Sequence, residues 1–484
     1  MGRGGRLSGA LRVAVLALAA LSLLPSASAV GDVGPGCRPD WPVLAYRAGG
    51  ELVTPPPGSG RPVVCATTTG YATSEPTVAV TNSGAVFYSP ANSENSLARS
   101  SDQGATWKLL EPPKMQHTSL WNTVDPHVVV DRRTGRVFWA HTTYTVDLRP
   151  PVPVDGSPLG WLAPTAIANA HGFQVYSSPD DGRSWTTADY QHEFTADWEK
   201  IFVGPPPPPG TGAVQPSRYP DVVYLCGNAP VEVSGPGRAC YRSLDGGVTF
   251  NLAGYVYPSP SAPAAECPAL AANTGVVGRD GATYQPQSCS NGTYLAVSHD
   301  EGASYTWLPV TGAPPSSGLG AVVQLAIDAA DNLYVLWKAD DRLHLAISRD
   351  GGRSWSPPLA VGAPGLHNIA LPTLAAGPRG QVGIAYYAST NPSARQLSAY
   401  VAVTRNALDP RPLIYGAAVN DPAHPIFEDH GYGVTPRTDF VGSTYDASGG
   451  FWAGVVKQLG PPDANGRVPT TGYVGRLVFP TNGP

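Results

Sequence analysis

The sequence predicts an all-β protein, a β-propeller of four-stranded blades, with seven blades preferred and six as the alternative. Three observations carry this prediction. An eight-residue pattern occurs five times, pairs of short apolar strands recur beside it, and no window beyond the N-terminal apolar run keeps a helical period. The 55 Gly and 52 Pro residues are spread through the 484-residue chain, as turns between many short strands require.

The repeated pattern is Ser-x-Asp-x-Gly-x-Ser/Thr-aromatic, which we call the box. It occurs as SSDQGATW, SPDDGRSW, SLDGGVTF, SHDEGASY and SRDGGRSW, with the central acids Asp102, Asp180, Asp245, Asp300 and Asp350. The copies follow one another at 50 to 78 residues, a spacing typical of propellers and other repeat arrays. We expect each carboxylate to accept hydrogen bonds within its own turn, and each aromatic ring to fill space between neighbouring blades.

Strand–turn–strand segments such as EPTVAVTNSGAVFYS and VVQLAIDAADNLYVLW show the hairpin pattern within each unit. A blade of this kind cannot bury its own two faces and must stack on its neighbours. Counted from these segments, seven units begin near Glu75, Asp125, Asp197, Glu266, Gly320, Ile369 and Thr438. Six blades would result if the irregular region that carries the central cysteines formed one blade instead of two.

The N-terminus has the features of a secretory signal peptide, which we place at residues 1–29. Arginines precede an apolar run from Val13 to Leu24, and small residues follow up to Ala29, where we expect cleavage. We expect residues 30–74 to lead into the propeller, residues 75–484 to form it, and the mature protein to be secreted without membrane insertion. The net charge of −5 without a long basic run argues against a nucleic-acid partner.

Six cysteines suit an oxidising, extracellular compartment. Many connectivities are open to six cysteines, and the sequence alone does not choose among them. The most economical pairing joins near neighbours in the chain: Cys37 with Cys65, Cys226 with Cys240, and Cys267 with Cys289. A zinc site is less favoured, because no Cys-x-x-Cys or His-rich spacing accompanies these residues.

The boxes resemble the Asp-box, also called the bacterial neuraminidase repeat, of the sialidase superfamily of β-propellers. The resemblance covers most of residues 75–480 and implies that the box is a folding element on the outer rim, remote from the ligand. Sialidases also carry a Phe/Tyr-Arg-Ile-Pro motif, two further arginines and a Tyr–Glu pair. This chain has YRAG at Tyr46–Gly49 instead, so the resemblance implies the scaffold without the complete sialic-acid apparatus.

Acids recur where the innermost strands are predicted to start, at one mouth of the central channel. Two carboxyl groups facing one pocket could serve a glycosidase, as acid and nucleophile or as acid and base. The catalytic candidates are therefore Glu75, Asp125, Asp197, Glu199 and Asp439. The substrate-binding candidates are Arg47, His127, Trp198, Tyr432 and Arg437. The alternative is structural, since an Asp before a strand often caps a turn and a single Trp beside a strand usually packs.

The sequence thus predicts a secreted, sialidase-like propeller that hydrolyses an extracellular or cell-wall glycan. The alternative is a non-catalytic propeller that binds a glycan or a protein partner, since the fold hosts both. We expect a carbohydrate ligand, a monomer and no cofactor. A structural Ca²⁺ ion stays open as an alternative, because a ring of acids offers the oxygen ligands that Ca²⁺ prefers.

Overall fold

The computed structural model describes residues 34–55, 60–90, 97–110, 120–122, 125–145, 170–190, 197–209, 218–231, 235–257, 259–263, 267, 274–315, 323–430 and 438–479. The predicted signal peptide lies outside the described residues, as do Tyr432 and Arg437. Strands and turns make up the described residues, and no helix among them could span a bilayer.

Seven sheets of four or more strands surround one central channel, and each sheet is a blade. Blades 1 to 5 follow in chain order. Blade 1 contains β4 (Thr77–Val80), β5 (Val86–Ser89), β6 (Leu97–Ser100) and β7 (Lys108–Leu110), and blade 2 contains β8 (Leu120–Asn122), β9 (His127–Val130), β10 (Val137–Thr145), β11 (Ala170–Ser178) and β12 (Thr186–Tyr190). Blade 3 contains β13 (Asp197–Gly204), β14 (Val222–Val231), β15 (Gly235–Ser243) and β16 (Asn251–Tyr257); blade 4 contains β17 (Val276–Val277), β18 (Thr283–Cys289), β19 (Gly292–Ser298) and β20 (Thr306–Pro309); and blade 5 contains β21 (Gln324–Ile327), β22 (Leu333–Ala339), β23 (Arg342–Ser348) and β24 (Leu359–Ala360).

Blades 6 and 7 combine strands from both ends of the described chain. They contain β2 (Leu44–Arg47), β25 (His367–Ala376), β26 (Val382–Ser389), β27 (Gln396–Thr404), β28 (Leu413–Ala418) and β29 (Phe427–Glu428) in blade 6; β1 (Cys37–Arg38), β3 (Val63–Thr68), β30 (Gly442–Tyr445), β31 (Phe451–Gln458) and β32 (Thr470–Val478) in blade 7. The prediction of an all-β propeller is confirmed, and the blade count is seven rather than six.

The ring closes through the N-terminal strands. Strand β3 pairs with β32 as the fourth strand of blade 7, β1 pairs on the outside of β3, and β2 pairs on the outside of β28 in blade 6. Residues before the first blade therefore complete the last two blades. The inner strand of each blade contacts the inner strand of the next, and β30 contacts β4 to close the circle.

The hydrophobic core lies between the blades. Seven apolar clusters among the described residues each join two adjacent blades, so every blade buries both of its faces. Between blades 1 and 2, for example, Phe87 packs in one cluster with Trp139 and Tyr176. This arrangement follows from strands such as Leu333–Ala339, in which residues of both faces are buried.

The three predicted disulfides are present. Cys226 lies opposite Cys240 on the antiparallel pair β14–β15, and Cys37 lies opposite Cys65 on β1–β3. The third bond joins Cys267 to Cys289. All six cysteines of the chain are thereby paired, which fits the expected oxidising compartment.

The five boxes form the turns between the third and fourth strands of blades 1 to 5. In every box the Ser hydroxyl donates to one oxygen of the Asp carboxylate over 2.7–2.9 Å. The second hydroxyl, from Ser or Thr, donates to the other oxygen over 2.5–2.7 Å. Each carboxylate is thus occupied within its own turn, as a folding element requires.

Candidate functional site

The inner strands of all seven blades line a central channel with a cavity of about 470 Å³. All seven inner strands start at the same end of this channel, which we call the strand-start mouth. His127, Lys200 and Phe440 line the channel close to this mouth. Several of the sequence-predicted acids lie beside these three residues.

Glu75 and Asp125 form a carboxyl pair at the strand-start mouth. Glu75 precedes β4 and Asp125 precedes β9, and their side chains are hydrogen-bonded to each other. Only 6% of Glu75 and 3% of Asp125 is exposed. Two carboxyl groups in such contact cannot both be ionised without strong repulsion, so the pair retains a proton.

The pair continues into a chain of hydrogen bonds that crosses four blades. The backbone N–H of Asp439, which precedes β30 of blade 7, donates to Glu75 Oε1 over 3.1 Å. On the other side, the backbone N–H of Trp198 in blade 3 donates to Asp125 Oδ2 over 2.8 Å. Asp439 is half-buried, and Glu75 and Asp125 are buried. Asp439 is therefore the member of this chain that is most open to solvent.

The start of β13 is irregular just before Lys200, whose side chain lines the channel. The register with β14 shifts between Asp197 and Lys200, and Trp198 has a φ of +55°. Left-handed backbone is rare for a bulky residue and is kept only where the surroundings hold it. Here the hydrogen bond from the Trp198 N–H to Asp125 stabilises this backbone conformation.

Lys200 is the cation of the site. Its Nζ lies 5.2 Å from the ring centroid of Trp198 and 4.3 Å from that of Phe440, and it donates to the carbonyl of Glu199 over 3.3 Å. Only 1% of Lys200 is exposed. The two aromatic faces stabilise the buried ammonium by cation–π attraction.

The surroundings of Glu75 raise its pKa well above the usual value of a glutamate. Burial is the largest cause, followed by the charges of Asp125 and Asp439, while Lys200 opposes the shift. The neutral form of Glu75 is thereby favoured at pH values where an exposed glutamate is ionised. A carboxyl kept neutral in this way can serve as a proton donor.

His127 is the first residue of β9 and lines the channel below the acids. Its Nε2 lies 3.3 Å from the hydroxyl of Thr274 in the segment that precedes blade 4. Burial, and then the charge of Lys200, lower the pKa of His127 to about 3. The ring is therefore neutral near pH 7 and does not act there as a cation.

The other predicted site residues lie apart from the chain of hydrogen bonds at the mouth or outside the described residues. Glu199 is fully buried, and Asp197 is the first residue of β13, opposite Asn228. Arg47 lies on β2 at the outer edge of blade 6, where its guanidinium donates to the carbonyl of Arg411 over 2.9 Å. The remaining two candidates lie outside the described residues: Tyr432 and Arg437.

Sequence reasoning missed Lys200 and Phe440. Lys200 stands two positions after Trp198, but simple strand alternation does not place it, because the register shifts between Asp197 and Lys200. Phe440 follows the predicted Asp439 directly, but nothing in the sequence shows that blade 7 meets blade 3 across the channel. Among the described residues no group of three His, Cys, Asp or Glu side chains is placed to hold a metal ion.

No protein-family model matches the chain, and no curated protein matches it. Solved structures similar to it include a protein of unknown function from Dyadobacter fermentans, 13% identical, with 86% of this chain and 98% of that chain covered and a TM-score of 0.40. The K499G mutant of NanB sialidase from Streptococcus pneumoniae is 11% identical, with 84% and 68% covered and a TM-score of 0.42. The intramolecular trans-sialidase from Ruminococcus gnavus is 14% identical, with 86% and 97% covered and a TM-score of 0.40. Likenesses of this size say nothing of the activity or substrate of this chain.

Proposed function

We propose that this chain is an exported glycoside hydrolase that acts on an extracellular or cell-wall glycan at the strand-start mouth. The observation that supports it most is the buried Glu75 carboxyl, which contacts Asp125 and accepts the backbone N–H of Asp439, because these surroundings raise the pKa of Glu75 well above its usual value. Carboxyl groups whose pKa values are driven apart are the usual acid and base of such enzymes. The signal-like N-terminus and the three disulfides support export.

The proposed roles follow from protonation and exposure. Glu75 is the general acid, which gives its proton to the oxygen of the leaving sugar. Glycosidases separate their two carboxyl groups by roughly 5–10 Å, so the hydrogen-bonded Asp125 is too close to Glu75 to take the second role. That role falls to Asp439, the more exposed acid, as base or nucleophile. Asp125 helps to keep the proton on Glu75.

A second candidate function is non-catalytic binding of a glycan or a protein partner. The observation that favours it is that the acids already hold the ring together: Glu75 accepts a backbone amide of blade 7, and Asp125 accepts one of blade 3. Trp198 is only 3% exposed, so its ring packs on Phe440 rather than offering an open stacking platform. In this alternative the acids only hold adjacent blades together through hydrogen bonds, and the ligand binds elsewhere on the face that carries the strand-start mouth.

The test is turnover of a panel of fluorogenic glycosides, a sialoside among them, by the purified mature protein. The decisive variant is Glu75→Gln, because a glutamine can still accept the Asp439 amide and donate to Asp125 but cannot give up a proton. We expect Glu75→Gln to lower kcat by roughly 10²- to 10⁴-fold, the usual contribution of a general acid, with folding intact. Asp439→Asn should lower it as well.

The matched control is Asp341→Asn. Asp341 accepts the backbone amides of Asn368 and Ile369, over 2.9 and 3.0 Å, and so clamps blade 5 to blade 6 as Glu75 clamps blade 1 to blade 7. This variant should keep full turnover. If the wild type turns over no glycoside but binds a glycan or a protein, the hydrolase proposal is wrong and the second candidate stands.

A further inference from the structure

The disulfide between Cys37 and Cys65 differs from the other two disulfides in its exposure. Cys37, the first residue of β1, is partly exposed, and Cys65 on β3 is buried. The cysteines of the other two disulfides are at most 3% exposed: Cys226, Cys240, Cys267 and Cys289. Reduction of a disulfide begins with the attack of a thiolate on one sulfur atom and therefore requires access to the bond. Of the three disulfides, only the one in blade 7 has a partly exposed cysteine.

A guanidinium group lies against both sulfur atoms of this bond. Arg476 on β32 stands opposite Cys65, and Cys37 on β1 stands opposite Cys65 from the other side. The three side chains thus form a row across one face of blade 7. Arg476 Nη2 lies 3.6 Å from Cys65 Sγ and 3.7 Å from Cys37 Sγ. A neighbouring arginine stabilises a thiolate, because it lowers the pKa of the thiol.

Two further contacts hold Arg476 in this position. Its Cζ lies 4.4 Å from the ring centroid of Trp452, and its Nη1 donates to Gln103 Oε1 in the box turn of blade 1 over 3.0 Å. Only 4% of Arg476 is exposed. The positive charge is therefore fixed beside the disulfide and does not swing into solvent.

We infer that the Cys37–Cys65 disulfide is a site of thiol–disulfide exchange with a dithiol reductant. One thiolate of the reductant attacks Cys37 Sγ and breaks the S–S bond, and Cys65 leaves as a thiolate beside Arg476. The second thiolate of the reductant then attacks the reductant's own sulfur in the mixed disulfide and releases Cys37. The reductant ends as a disulfide, and two electrons and two protons have passed to the two cysteines. This inference is independent of the hydrolase proposal.

The bond ties a short outer strand to blade 7. Strand β1 pairs with β3 over two residues, and just before it the carbonyl of Gly36 accepts the N–H of Ala66 over 3.0 Å. After β1, the indole of Trp41 donates to the carbonyl of Ala418 in blade 6 over 2.6 Å. Blade 7 retains four strands without β1. Exchange should therefore loosen the segment before Trp41 and leave the ring closed.

Limited reduction of the folded wild-type protein tests the inference without any variant. The mature protein is treated with dithiothreitol near pH 7, samples are quenched with N-ethylmaleimide in denaturant, and the labelled cysteines are mapped by mass spectrometry. Labels should appear on Cys37 and Cys65 at least roughly tenfold sooner than on the other four cysteines. Glutathione in place of dithiothreitol should leave its mixed disulfide on Cys37. A Cys37–Cys65 bond that resists reduction as long as the two buried disulfides, or an adduct on Cys65 alone, overturns the inference.

Two substitutions that differ in charge test the role of Arg476. Arg476→Met removes the cation and should slow reduction of the Cys37–Cys65 bond roughly 3- to 10-fold, whereas Arg476→Lys keeps a cation and should stay close to the wild type. Arg38→Met is the matched control, because Arg38 follows Cys37 on β1 and points to the other face of the strand. It should leave the rate unchanged. A wild-type rate in Arg476→Met, or equal slowing in both Arg476 variants, overturns the role assigned to Arg476.

Discussion

A buried histidine in blade 2 shows how one residue can make the whole protein sensitive to acid. His141 is completely buried and stacks on Trp139 and Tyr176, with ring centroids 5.1 and 5.4 Å away. Neither ring nitrogen has a hydrogen-bond partner among the described residues. Burial lowers the pKa of His141 to about 3, so the folded protein keeps this ring neutral where an exposed histidine takes up a proton.

The stability of the fold should therefore fall on mild acidification. The unfolded chain protonates His141 near pH 6.5 and the folded chain does so only near pH 3, so the stabilisation is complete above pH 6.5 and is lost progressively below it. Between pH 6.5 and pH 5 the loss is about 2 kcal/mol for this residue. Urea denaturation at both pH values measures this loss in the free energy of unfolding. His141→Phe should remove the part of the loss that comes from His141.

The control for this prediction is His299→Phe, which changes an exposed histidine in the box turn of blade 4. It should leave the acid dependence of the free energy of unfolding as in the wild type. An equal acid dependence in the wild type and His141→Phe would contradict the assignment to His141.

Among the local elements of structure, the box is a turn that completes its own hydrogen bonding and presses on the preceding blade. In blade 5, Gly352 has a φ of +87°, and a Cβ there would lie 2.6 Å from a methyl group of Leu295 in blade 4. Glycine is required at this position both by the backbone conformation and by the close approach. The corresponding turn of blade 6, TRNALDP at residues 404–410, lacks the Gly and the aromatic residue of the box but keeps part of its hydrogen bonding, since Thr404 donates to Asn406 Oδ1 over 3.1 Å.

Removing the carboxylate of one box should destabilise its blade. Asp350 accepts the Ser348 hydroxyl at 2.8 Å, the Ser354 N–H at 2.9 Å and the Ser354 hydroxyl at 2.5 Å. We expect Asp350→Ala to lower the free energy of unfolding by about 2–3 kcal/mol. Asp350→Asn keeps one acceptor oxygen and should lose roughly half as much, as measured by urea denaturation at pH 7. An unchanged free energy in Asp350→Ala would show that the box is dispensable in blade 5.

The pH dependence of the same variants gives a second readout. The hydroxyl of Ser354, first among several hydrogen bonds, holds the pKa of Asp350 below its usual value. This stabilisation is present above the ordinary pKa of an aspartate and is lost as the pH falls through the lowered one. The difference between wild type and Asp350→Ala should therefore shrink in strong acid.

Across the whole molecule, the ring and the candidate site depend on each other. The chain of hydrogen bonds from Asp439 through Glu75 and Asp125 to Trp198 joins blades 7, 1, 2 and 3. Ring closure by β3 and β32 holds blade 7 beside blade 1. The raised pKa of Glu75 thus depends on the assembled ring, because Asp125 and Asp439, whose charges add to the effect of burial, belong to other blades.

The sequence predicted the parts of this architecture that repeat. Five boxes and the spacing of hairpins predicted the fold class and favoured seven blades over six, and near-neighbour pairing of cysteines predicted the disulfides. It also placed Glu75, Asp125 and Asp439 at strand starts, and the structure brings these three together. These three acids lie close together because blade 7 adjoins blade 1 and blade 1 adjoins blade 2. This order of blades follows once their number is known.

The rest of the site could not be predicted, because it depends on local irregularity and on contacts across the channel. The left-handed backbone of Trp198 and the register shift before Lys200 are tertiary effects without a sequence pattern. The cation–π contact between Lys200 and Phe440 joins residues 240 positions apart in the chain. Arg47, chosen for a likeness to a sialidase motif, lies on an outer strand instead.

The measurement that tests the central claim most directly is the titration of the Glu75 carboxyl by NMR. Protein labelled with ¹³C at the glutamate side-chain carboxyl is titrated from acid to alkaline pH, and the resonance absent from Glu75→Gln identifies Glu75. The account predicts that this carboxyl stays protonated well above the range in which exposed glutamates titrate, because burial, Asp125 and Asp439 outweigh Lys200. A Glu75 that ionises together with the exposed glutamates would contradict the account and remove the general acid on which the proposed hydrolase depends.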